Sequence, residues 1–76
     1  MIYVREILAD DNSVTICIEG IVDLESIAVL KDIYDRHAGK RKISVNLKSV
    51  LHITREARAF FQEMLHKGVF LDPNDF

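Results

Sequence analysis

The sequence predicts a two-layer α/β domain with its elements in the order ββαβα, a mixed sheet and helices on one face of it. Three observations carry this expectation. Residues 13–19 and 42–47 alternate apolar and polar side chains at the period of a strand. Residues 24–34 and 57–65 repeat apolar side chains at the period of a helix. Both strand segments also keep one polar side, whereas a parallel sheet covered on both faces reads as continuous apolar runs.

The elements follow in order. Residues 2–8 are rich in strand formers, with Glu6 breaking the alternation. Ala9-Asp10-Asp11-Asn12 is turn chemistry, since Asp and Asn tolerate left-handed backbone and bond their own main chain. In residues 13–19, Val14, Ile16 and Ile18 face one way and Thr15, Cys17 and Glu19 the other, which makes a hairpin with the first segment. Gly20-Ile21-Val22-Asp23 leads into a helix, with Asp23 as N-cap and Glu25 at the positive end of the helix dipole. Leu24, Ile27, Leu30, Ile33 and Tyr34 form its apolar stripe; Arg36 and His37 fall in the last turn, and Gly39 stops it. Ile43, Val45 and Leu47 face one way in the next strand and Ser44 and Asn46 the other, so the βαβ unit places two parallel strands side by side. Ala57, Phe60, Phe61, Met64 and Leu65 then mark a second helix, with Glu63 and Lys67 at i,i+4 and Gly68 just past its end. Val69 to Leu71 reads as a short fourth strand, and no further helix is expected after Pro73.

Length and composition set the bounds. Seventy-six residues make one domain, assigned to residues 1–71 with a tail at 72–76. With 49% hydrophobic and 29% charged residues the chain has the composition of a folded protein. A chain of this size buries only about 60% of its unfolded surface, so a partner or a second copy adds welcome buried area. The net charge of −2 gives no general reason to expect nucleic acid, but the charges are segregated. Glu6, Asp10, Asp11, Glu19, Asp23 and Glu25 crowd the first third; Arg36, Lys40, Arg41, Lys42, Lys48, Arg55 and Arg58 dominate residues 36–58. Such asymmetry orients partners, although two ordinary solvated surfaces give the same pattern. Cys17 is single, so no intrachain disulfide is expected. Arg5 and Glu6 interrupt any N-terminal apolar stretch, and no run approaches the roughly 20 residues that span a bilayer. A cytoplasmic protein without membrane insertion is expected.

The order of elements and three local motifs resemble a STAS domain, the family of sulfate transporters and anti-sigma factor antagonists whose fold is also called SpoIIAA-like. Gly20-Ile21-Val22-Asp23 is similar to the family's Gly-x-hydrophobic-Asp turn into its first helix. Asn46-Leu47-Lys48-Ser49-Val50 resembles, in degraded form, Asp-Leu-Ser-x-Val on the central strand. Ile53-Thr54-Arg55-Glu56-Ala57 stands where the family shows hydrophobic-Asp-Ser-Ser-Gly. The likeness covers about residues 2–71. It implies a bacterial, non-catalytic regulatory module that binds another protein, such as an anti-sigma-type kinase or a transporter ATPase, with no cofactor.

Two departures qualify that implication. The phosphoacceptor serine of the resembling motif falls on Glu56, its supporting Asp on Thr54, the first Ser on Arg55 and the Gly on Ala57. A serine kinase cannot phosphorylate Glu56. The side chain either imitates the phosphorylated state, with about −1 charge against roughly −1.5 to −2, or is an ordinary acid in a first helical turn. The family also continues with a further strand and a final helix, which here are abbreviated or missing, so an uncovered sheet invites a homo-oligomer.

The remaining candidates weigh less. Arg55 and Arg58 oppose the helix dipole, which suits either an anion site with Thr54 as N-cap or donor, or two arginines that simply reach into solvent or pair with Glu56 and nearby acids. His37, His52 and His66 lack ligand spacing, and two of them suit helix C-termini. No glycine-rich phosphate loop is present. The expectation is therefore a protein-binding module acting through Thr54, Arg55, Glu56 and Arg58. The alternatives are a small-ligand or nucleotide-phosphate sensor at the start of the second helix, and a homo-oligomeric scaffold.

Overall fold

The computed structural model describes residues 2–72. Strands β1 (Ile2–Leu8) and β2 (Val14–Val22), helix α1 (Leu24–His37), strand β3 (Ile43–Ile53), helix α2 (Arg55–His66) and strand β4 (Phe70–Leu71) follow one another. The sheet is open, in the order β1-β2-β3-β4, with β1 antiparallel to β2 and the other neighbours parallel. Both helices pack on one face, giving the two layers expected. Pro73 and the rest of the tail lie outside the described residues.

Local chemistry accounts for the turns. Asn12 takes the left-handed conformation, φ 67°, that closes the hairpin, and its Nδ2 donates to the Lys40 carbonyl at 3.0 Å, tying hairpin to the α1–β3 loop. Asp23 caps α1 by accepting from the Ser26 amide at 3.0 Å, and the Ser26 hydroxyl accepts in return from the Asp23 amide. The Asp23 carboxyl is held below its ordinary range, first by the Ser26 amide and then by the Ser26 hydroxyl. Beyond α1, Gly39 takes φ 78°, a conformation a side chain would resist.

The core joins Val14, Ile16 and Ile18 of β2 and Ile43 and Leu47 of β3 to Leu30 and Ile33 of α1 and Ala57, Phe61 and Met64 of α2. Full burial of one such large side chain contributes about 1.5–3 kcal/mol. Two expected stripe members stand outside it. Leu24 is 67% exposed, because Ser26 turns inward to complete the cap, and Leu65 is 44% exposed at the margin of the α2 stripe. The Glu63–Lys67 ion pair is not formed; Lys67 Nζ lies 5.6 Å from the Tyr34 ring centroid instead.

Strands β2 and β3 outrun their predicted ends for a definite reason. The nine residues of β2 pair along the eleven of β3, with register shifts between Cys17 and Glu19 and between Gly20 and Ile21. Each shift inserts one extra residue into β3. The inward and outward alternation resets at each bulge, so the period-two pattern vanishes after Leu47 although the strand continues to Ile53. Leu51, at the second bulge, is left 82% exposed.

Candidate functional site

β2 and β3 end side by side, and the chain turns from β3 straight into α2. The Thr54 amide donates to the Val22 carbonyl at 3.0 Å, which fixes the turn to the end of β2. Thr54 Oγ1 then accepts from the Ala57 amide at 3.3 Å as the N-cap, one of the two roles the sequence leaves open to it. Ala57 is fully buried, so the turn is clamped to the core from below. Arg55, Glu56 and Arg58 of the first turn are exposed around this fixed point.

The four predicted residues share a turn of helix but not one face. Glu56 lines the groove between α1 and α2, beside Ile27, Lys31 and Phe60. Arg55 and Arg58 stand three residues apart, hence adjacent on the helix surface, and neither lines that groove. Thr54, Arg55 and Arg58 line none of the clefts described for this chain. The surface therefore offers a fixed, charged turn at the start of α2.

A second polar cluster escapes the sequence reading. Glu6 points from β1 to the helix side, where its Oε1 lies 2.5 Å from His37 Nε2 and its Oε2 lies 3.5 Å from Arg36 Nη2. Arg41 Nη1 donates to His37 Nδ1 at 2.6 Å. A guanidinium only donates, so His37 Nδ1 is the acceptor and Nε2–H donates to Glu6. The hydrogen bond from His37 holds the Glu6 carboxyl below its ordinary range; partial desolvation opposes this and Arg36 assists it. Arg41 Nε is buried without a partner among the described residues. Both imidazole nitrogens are engaged, so the cluster clamps β1 to the end of α1 and to the following loop. His37 is thus a buried core residue, beyond the helix-end role expected of it. Among the described residues no three His, Cys, Asp or Glu side chains converge as a metal site, and no helix is long and apolar enough to cross a membrane.

No family model matches the chain, and no curated protein matches it. Among solved structures, one described as a crystal structure analysis of Mglu is similar, with a TM-score of 0.63 and 23% sequence identity. The likeness covers 92% of this chain and 18% of that one, so this chain spans less than a fifth of the protein it resembles. At this identity the likeness is one of fold: a two-layer open α/β domain that also occurs within a longer polypeptide.

Proposed function

We propose that the chain is a regulatory, protein-binding module of the STAS type, docking through the first turn of α2. The observation that carries the reading is the Thr54 turn. It is fixed to β2 through the Val22 carbonyl and capped on the Ala57 amide, and it presents Arg55, Glu56 and Arg58 at the surface. A rigid turn bearing charges of both signs orients a partner without costly ordering of the surface on binding. The resemblance of residues 20–23, 46–50 and 53–57 to the family motifs points to an anti-sigma-type kinase or a transporter ATPase as that partner. Glu56 at the acceptor position makes the interaction one of occupancy, without a phosphorylation switch.

Titration of the chain against such a kinase or ATPase from the same organism tests the proposal. Saturable binding is expected, weakened by about tenfold or more in Glu56→Arg, a loss of about 1.4 kcal/mol or more. Equal binding by the variant, or binding mapped to the opposite face of the sheet, would contradict it.

A further inference from the structure

The face of the sheet away from the helices carries a cleft of ≈ 330 Å³ that the docking surface does not touch. Its walls include Tyr3 and Arg5 of β1, Glu19 of β2, and Asn46, Lys48 and Ser49 of β3. The register explains why they meet. Arg5 lies opposite Cys17 and Cys17 opposite Asn46, and on the next rung Tyr3, Glu19 and Ser49 line up in the same way. Between these rungs β3 bulges, and the bulge is held by Asn46 Oδ1 accepting from the Lys48 amide at 2.9 Å. A bulge re-aims side chains, and here it brings Lys48 and Ser49, successive residues, to the same cleft.

The charges in this cleft are unspent. Arg5 and Glu19 are diagonal neighbours on one face, a spacing of about 7–8 Å between Cβ atoms that long side chains easily bridge. Yet Arg5, Glu19 and Lys48 form no ion pair among the described residues. Nor do Asn46 Nδ2 and the Ser49 hydroxyl have a hydrogen-bond partner among them. Two cations, one carboxylate and two neutral donors on rigid strands suit a ligand that carries both charges. A plain anion meets Glu19, and a plain cation meets Arg5 and Lys48. The volume sits at the small end of ligand clefts, which run about 300–1,000 Å³.

We infer that this cleft binds a small zwitterion bearing a carboxylate and an ammonium group, the chemistry of a free amino acid or of a short peptide. The carboxylate rests on Arg5 and Lys48, with Asn46 and Ser49 donating to it; the ammonium pairs with Glu19, and Tyr3 walls one side. The inference does not depend on the docking surface at α2.

The experiment is an amide chemical-shift titration of the whole chain with alanine and, separately, with glycylglycine. Saturable shifts at residues 3–5, 17–19 and 46–49 are expected, with a dissociation constant on the order of 1 mM. Acetate and methylammonium, each carrying half of the charge pattern, should bind at least about tenfold more weakly, as should the zwitterions to Arg5→Gln and Glu19→Gln. Tighter binding of alanine identifies a free amino acid as the ligand, and tighter binding of glycylglycine a peptide. Both variants change exposed side chains, and their own amide spectra report whether the fold is kept; Lys48→Met provides the same test should either fail to fold. Absence of saturable shifts at any concentration up to about 50 mM, shifts centred outside these strands, or acetate binding as well as the zwitterions would overturn the inference.

Discussion

Glu6 and His37 each look ordinary in the sequence and acquire a meaning only together. An acid on the inward register of Ile2 and Val4 is a local misfit, and a histidine four residues beyond Ile33 occupies a core position of α1. The first was legible as a break in alternation; its resolution was not, because 31 residues separate the partners. The pair makes stability depend on acidity in a definite direction. The folded chain holds the Glu6 carboxyl below its ordinary value of 4.5, so the unfolded chain takes up the proton first. The stabilisation is present above that value and is lost as pH falls through the lower folded one. Glu6→Gln should therefore be less stable than the parent near pH 7, by roughly 1.5 kcal/mol or more for a lost charge-assisted hydrogen bond, and the gap should narrow as the pH is taken below 4.5. Urea midpoints at pH 7 and below pH 4.5 check this; a gap of constant size would show that folding does not hold the Glu6 carboxyl low.

At the scale of elements, the parts legible in the sequence are those whose signals are local. The Asp23 and Thr54 caps, the Asn12 turn and the apolar stripes all depend on neighbours within a few residues, and the structure reproduces them with Leu24 and Leu65 as exceptions. The bulged end of β3 was not legible, because pairing with β2 decides where a residue is skipped and no residue of β3 announces it. The Thr54–Arg58 turn was placed correctly as a first helical turn, but the placing of Glu56 in the α1–α2 groove needed the packed helices. Packing also sets the sensitivity of α2. Phe61 is 1% exposed in the centre of the core, so Phe61→Ala should cost about 3–5 kcal/mol. A chain of this size has a total stability of roughly 4–11 kcal/mol, and calorimetry should show the melting transition lowered steeply or lost. A shift of only a few degrees would mean that α2 is not integral to the folding unit.

For the whole molecule, the sheet's edges decide what it can join. β1 lies at one edge and carries Arg5 and Glu6 at its centre, charges that discourage pairing. On the other side β4 pairs only with Ser44 and Val45, so β3 from Asn46 to Ile53 has no neighbouring strand beyond it among the described residues. Self-association through the β3 edge is expected. Light scattering across a concentration series should give a mass rising above 8.7 kDa, whereas a constant monomer mass would leave that edge to a different protein. The α2 docking turn follows directly on the end of this edge, where β2 and β3 finish side by side, and the proposed function rests on it. The most direct test incubates the chain with an anti-sigma-type kinase from the same organism and ATP, and follows complex formation and phosphate incorporation together. Complex formation that Glu56→Arg weakens, with no phosphate transferred, is the predicted result. Phosphate on the chain, or no complex with the kinase at any concentration, would contradict a docking module that works by occupancy.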